Sequence, residues 1–218
     1  KRIEGYYNMK NRNLLIYKMA FTAFFIALII VMAFTPIGYI KLPFMSVTLL
    51  VLPVAVGAIL LGPVCGMVLG LTFGLTSFAQ CFMGDYVGGL IVSQNVFLAA
   101  VVCIVTRTLM GLLTGLIFKG LKKAFHKTLT NPEVSNGKKK SINIFIHAVS
   151  CFSAAFLNTL LFMSTLVLFF YNIVEQLAST NGSSVIMYIL VTCIGINWVI
   201  ETLINLFAGT VITSSLEN

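Results

Sequence analysis

The chain has 218 residues, 59% of them hydrophobic and 9% charged, with a mean hydropathy of +1.02. Its 14 Lys and Arg and 6 Asp and Glu are too few to coat a water-soluble domain, and they are clustered, leaving uncharged stretches of the kind that sit in a bilayer. Intrinsic disorder, a disulfide-stapled secreted module and a nucleic-acid binder each need a polarity that this composition lacks.

A helix needs roughly 20 apolar residues to cross about 30 Å of hydrocarbon. On that ruler the sequence predicts an all-α membrane protein, a six-transmembrane-helix bundle. The first span covers 14–35 and stops at Pro36 and Gly38. Residues 42–84 carry no charge, too long a run for one helix, and Gly62-Pro63 divides it into spans two and three. Span two, 46–61, is short and contains Pro53, so a tilted, kinked or partly re-entrant segment is expected. Span four starts near Gln94, runs through Arg107 toward Phe118 and ends in Lys119, Lys122, Lys123, His126 and Lys127. A polar loop follows, with turn signals at Asn131-Pro132 and Asn136-Gly137 and a run of Lys138, Lys139 and Lys140. Span five covers 142–171, a Ser/Thr/Asn/Gly loop 178–184, and span six 185–212, with Glu201 inside it.

The basic residues collect in alternate loops. Five lie in the N-terminal segment (Lys1, Arg2, Lys10, Arg12, Lys18) and seven between spans four and five, while the opposite side holds Lys41. The positive-inside rule therefore puts both termini in the cytoplasm and Asp85 and Glu175 on the other face. The domain organisation read from this is a cytoplasmic segment at 1–13 and a single six-helix membrane domain at 14–214 with a basic cytoplasmic loop at 119–141. Met9-Lys10-Asn11-Arg12 reads like a natural start, which makes 1–8 an appended or misassigned extension. The lysine run is read as topogenic and attracted to anionic lipid, with no nucleic-acid partner. A multi-pass protein of a bacterial plasma membrane, without a cleaved signal peptide, is expected.

The chemical inventory argues against an enzyme or a self-powered pump. No G-x-x-x-x-G-K-[ST] loop is present to cradle phosphates, and Glu201 is the carboxylate deep in a span. His126 and His147 have no H-E-x-x-H, G-x-S-x-G or paired-carboxylate company and are read as interfacial. Cys65, Cys81, Cys103, Cys151 and Cys193 are scattered, without a C-x-x-C pair, and are read as small apolar packing residues. No metal or catalytic residue is expected.

Two charges lie inside spans, Arg107 and Glu201, each costing about 2.5–3.5 kcal/mol on insertion scales. The simpler reading is a salt bridge between them; the alternative is that Arg107 offers its planar donors to a ligand carboxylate. Neutral polar and aromatic groups gather in the outer half: Tyr39, Gln80, Asp85, Tyr86, Gln94 and Asn95, then Asn158 and Thr159 in span five and Asn197, Trp198 and Asn205 in span six. Asn197, Glu201 and Asn205 are spaced i, i+4, i+8 and share one helical face, a stripe that serves either to line a cavity or to bond neighbouring helices. Gly66, Gly70 and Gly74, and again Gly111 and Gly115, form close-contact rows, and Ala20, Ala23 and Ala27 make a smooth face on the first helix, open to another protein.

The string from Thr48 to Phe78, TLLVLPVAVGAILLGPVCGMVLGLTFGLTSF, resembles the second and third helices of the substrate-binding S components of energy-coupling-factor (ECF) vitamin transporters. The likeness includes Gly38-Tyr39, Pro53 with Gly57, the Gly62-Pro63 break and Phe-Gly-Leu-Thr-Ser at 73–77. Arg107 with Gly111 and Gly115 is similar to that family's fourth helix, Leu157-Asn158-Thr159 to its fifth, and Gly195-Ile196-Asn197 with Glu201 to its sixth. Ala23-x-x-x-Ala27 matches the signature by which S components contact their transmembrane coupling subunit. The resemblance implies capture of a water-soluble vitamin from outside by Tyr39, Gln80, Asn95, Arg107, Asn158, Asn197, Trp198 and Glu201, and delivery by toppling in complex with a coupling subunit and two ATPase subunits. Those partners use the ATP, and this chain binds no cofactor. The Leu-Asn-Thr and G-x-N-x-x-x-E segments look most like the pantothenate type, although Trp198 stands where that pattern has Gly; folate, riboflavin and pyridoxine are the neighbouring ligands. The rival reading is a non-transporting structural membrane subunit whose polar stripe only glues helices.

Overall fold

The computed structural model describes residues 2–36, 38–42, 45–180, 182, 184–187 and 198–217, with side chains from 14 onward except at 40–47 and 217. The first helix, α1 (Arg2–Ala33), is apolar on all sides beyond Lys18. It turns Phe25, Ile29 and Ala33, spaced by four, into the bundle and leaves Phe24, Val31 and Phe34 exposed. Two short antiparallel strands follow, β1 (Tyr39–Leu42) and β2 (Met45–Thr48), with Tyr39 opposite Thr48 and Leu42 opposite Met45. Aromatic and β-branched residues at Tyr39, Ile40, Val47 and Thr48 favour this pairing, in a stretch that the sequence reading treats as loop and as the start of span two.

Helix α2 (Val51–Leu61) has 11 residues, of which nine are buried. Pro53 sits in its first turn, where a missing N–H costs no intrahelical bond. Gly62 ends it with φ +100°, a backbone geometry that a side chain resists, and Pro63 opens α3 (Pro63–Phe82). The break expected at Gly62-Pro63 is therefore real.

The third loop holds a helix, α4 (Tyr86–Gln94), capped by the Asp85 carboxylate, which accepts from Gly88 N at 2.7 Å. Helix α5 (Val96–Ala124) begins at Asn95 and contains a π-helical turn at Val101–Val105. The basic loop carries a short helix, α6 (His126–Thr130). Helix α7 (Asn136–Thr180) starts earlier than expected, through the lysine run, and is interrupted at Phe170. The last helix, α8 (Val199–Leu216), has a second π-helical turn at Asn205–Gly209; the first part of the expected sixth span, 188–197, lies outside the described residues.

Among the described residues, α1, α3, α5, α7 and α8 are long and apolar enough to cross a membrane, and α2 is a shorter apolar helix. Their outward faces carry large apolar side chains such as Leu75, Leu109, Phe156 and Phe207, as lipid contact requires.

The glycine rows explain how the centre is assembled. A Cβ on Gly66 would strike the Gly111 carbonyl, one on Gly70 the Arg107 carbonyl, one on Gly74 the Ile104 main chain, and one on Gly115 the Pro63 main chain. Helices α3 and α5 thus run antiparallel with main chain against main chain, because no side chain stands between them. Around this pair, one apolar core joins α1, α2, α3, Met110 and Ala154, and a second joins α4, the start of α5 and the end of α7 through Ile91, Val102, Phe170 and Val174. His147, expected at the interface, is instead wholly buried with its ring 5.1 Å from that of Phe118. A position three turns into α7 faces the bundle rather than the headgroups.

Candidate functional site

The base of the hairpin stands between the two buried charges. On one side, Thr48 N donates to Glu201 Oε1 at 3.3 Å and Asn158 Nδ2 donates to Glu201 Oε2 at 3.2 Å. The carboxylate has no exposed surface and joins β2, α7 and α8. One turn further along α8, Asn205 Nδ2 donates to the Glu201 main-chain oxygen at 2.8 Å, while its own Oδ1 is buried without a partner among the described residues. The expected polar face of span six is thus present at Glu201, which bonds neighbouring elements, and at Asn205, which bonds back within its own helix; Asn197 lies outside the described residues.

On the other side, Tyr39, the cross-strand partner of Thr48, sends its hydroxyl into the bundle beside Thr76 and Ser77. It makes no well-formed hydrogen bond among the described residues. Burial pushes the phenol up to about 12, and the nearby Arg107 guanidinium only partly offsets this, so the hydroxyl keeps its proton at any physiological pH.

Arg107 is almost fully buried. The widened turn of α5 presents the Val102 carbonyl to two side chains, Thr106 Oγ1 and Arg107 Nη1, the latter at 3.2 Å; Nη1 also donates to Thr106 Oγ1 at 3.2 Å. The guanidinium carbon lies 4.3 Å from the centre of the Phe162 ring and 5.4 Å from that of Phe73. Such aromatic faces favour a cation that is out of water. Arg107 Nε is buried and has no hydrogen-bond partner among the described residues.

The salt bridge expected between Arg107 and Glu201 is not formed. Glu201 is satisfied by neutral donors from the hairpin and α7, and Arg107 is drawn to a main-chain carbonyl and two aromatic rings. The two charges lie within electrostatic range of each other without touching.

Tyr39, Arg107, Asn158 and Glu201 are therefore brought around one hairpin base. Gln80 and Asn95 have other partners. Gln80 Nε2 donates to the Ala33 carbonyl at 2.7 Å, closing the end of α1, and Asn95 is exposed, its Oδ1 accepting from Phe97 N and Leu98 N at 3.0 and 3.1 Å. Trp198 packs edge-on against Phe152 and Phe156 of α7, with ring centres 5.9 and 6.3 Å away, and its Nε1 is buried without a partner among the described residues. Thr48, Thr76, Ser77, Phe73 and Phe162 join the cluster without having been singled out. A signal existed for three of them in the Phe-Gly-Leu-Thr-Ser run at 73–77.

Ala20, Ala23 and Ala27 are exposed on α1, within an apolar surface that includes Ile16, Met19 and Phe24. The family model for the ECF transporter, substrate-specific component, matches residues 17–212. No curated protein matches the chain.

Proposed function

Because the chain belongs to the family of ECF transporter substrate-specific components, we propose that it captures an anionic water-soluble vitamin of the pantothenate type. The observation that carries this reading is Arg107 Nε, a charged donor enclosed between Phe73 and Phe162 with no acceptor among the described residues, close to the Tyr39 hydroxyl, which makes no well-formed hydrogen bond among them. Leaving such donors unmade is costly unless something else supplies an acceptor. A carboxylate does so, and a guanidinium binds it with planar, directed donors. Asn158, held across the hairpin base by Glu201, offers an amide to the polar groups of the same ligand.

In this reading the hairpin, the third loop and the outer ends of α5, α7 and α8 face the cell exterior, and the basic loop at 119–141 lies in the cytoplasm of a bacterial plasma membrane. Energy comes from a coupling subunit and two ATPase subunits, in keeping with a sequence that has no phosphate-binding loop. The exposed Ala20, Ala23 and Ala27 face meets the coupling subunit, since small residues let another helix approach closely. Ala23→Trp should abolish co-purification with that subunit while leaving ligand binding intact; unchanged assembly would exclude this face.

Thermal unfolding of the purified chain in detergent tests the ligand, with pantothenate, folate, riboflavin and pyridoxine added one at a time. Pantothenate should raise the midpoint most. Stabilisation by riboflavin or pyridoxine alone would overturn the anionic choice, and stabilisation by none of the four, from a folded sample, would return the chain to a purely structural role.

A further inference from the structure

Two thiols that play no part in this reading lie in contact. Cys81, on the last turn of α3, and Cys103, in the π-helical turn of α5, have their sulfur atoms 3.7 Å apart, and both residues are buried. They come from different crossing helices, 22 positions apart in sequence. The meeting follows from the packing below them: at Gly74 the main chain of α3 already touches that of Cys103 and Ile104. Above them α4 closes the site, since a Cβ on Gly88 would lie 2.8 Å from Cys81 Sγ. The other described cysteines, Cys65 and Cys151, are also free thiols, and Cys151 sits elsewhere, against Gly209 of α8.

We propose that Cys81 and Cys103 are a reversible thiol–disulfide site, oxidised by a peroxide small enough to enter beneath α4. A disulfide has its sulfurs about 2.0 Å apart, so the pair must draw together by less than a sulfur–sulfur contact distance, and the widened turn carrying Cys103 is the part of α5 whose main chain has slack to allow it. The chemistry balances in two steps. Cys103, one turn before the buried Arg107 cation and beside the Cys81 thiol, attacks one peroxide oxygen as its thiolate; the O–O bond breaks, the released hydroxide takes up the thiol proton as water, and Cys103 becomes a sulfenic acid. Cys81 then attacks the sulfenic sulfur, the S–O bond breaks, and the hydroxyl leaves with the Cys81 proton as a second water. Two thiols and one hydrogen peroxide give one disulfide and two waters, and two electrons pass from sulfur to peroxide.

The bridge ties the outer end of α3 to α5 directly behind the polar cluster. In the reduced protein Cys81 Sγ donates to the Ser77 carbonyl at 3.3 Å, and Ser77 lies beside the Tyr39 hydroxyl. Oxidation removes that donor.

The test is peptide mass spectrometry of the full-length protein in detergent, exposed to hydrogen peroxide and then alkylated under denaturing conditions. The expected product is a linked pair of peptides containing Cys81 and Cys103, lighter by two hydrogens and separated by dithiothreitol, with Cys65 and Cys151 alkylated. In Cys81→Ser, or in Cys81→Ala if the serine variant folds poorly, the link should vanish and Cys103 should proceed to sulfinic acid. Recovery of both thiols in alkylated form from the oxidised native protein, or of both as separate sulfinic acids, overturns the proposal.

Discussion

Arg107 and Glu201 bring opposite charges into one bundle, and the bundle treats them differently. Glu201 holds a donor on each carboxylate oxygen, from Thr48 and Asn158, and acts as a clasp between the hairpin, α7 and α8. Arg107 uses one nitrogen on Val102 and Thr106, rests on two aromatic rings and has no partner for Nε among the described residues. On the proposed function, the first charge contributes to architecture and the second is held ready for the ligand. The comparison separates the anchor of the site from its grip.

Substitutions at three positions put that separation under strain. Arg107→Met should give the largest effect, weakening pantothenate binding on the order of a hundredfold or more, the scale of removing one partner of a buried charge pair. Titration calorimetry on the purified protein would measure it, and Arg107→Lys should recover only part, because an ammonium lacks the planar fork. An Arg107→Met protein with undiminished affinity would dissolve the contrast. Glu201→Ala should act mainly on folding, leaving Thr48 N and Asn158 Nδ2 without acceptors. At about 0.6–1.7 kcal/mol for each intramembrane bond, a loss of about 1–3 kcal/mol is expected, visible as a lower unfolding midpoint, with Glu201→Gln in between. If Glu201→Ala kept its midpoint and lost only affinity, the clasp would itself be part of the grip. The smallest effect belongs to Asn95→Ala, which removes a helix cap worth about 1 kcal/mol and should leave ligand affinity unchanged within error.

Much of this arrangement is visible in the sequence, and the boundary is instructive. Charge-free stretches locate the crossing helices because hydrocarbon tolerates little else, and Gly62-Pro63 locates the break between α2 and α3 because both residues are poor helix interiors. The glycine spacing at 66, 70 and 74 reports close packing, though not that its partner is the row at 111, 107 and 104. What escapes the linear reading is direction. Arg107 and Glu201 look like a pair by depth along their helices, but a π-helical turn and the hairpin decide where each side chain finds its partners. The hairpin itself is hidden because each of its strands has four residues, too few for an alternating pattern to stand out from a loop and the start of a span. Gln80 and Asn95 are polar at the right end of the bundle, yet the ends of α1 and α5 already need their donors and acceptors.

The bare contact between α3 and α5 carries one more consequence. Where two main chains meet with no side chains between them, there is no cushion to compress and no rotamer to change, so the two helices travel as a single plank. Any gating that admits a nutrient and then seals it in must therefore be carried out by the parts that lean on the plank: the hairpin, the far end of α7, and α8.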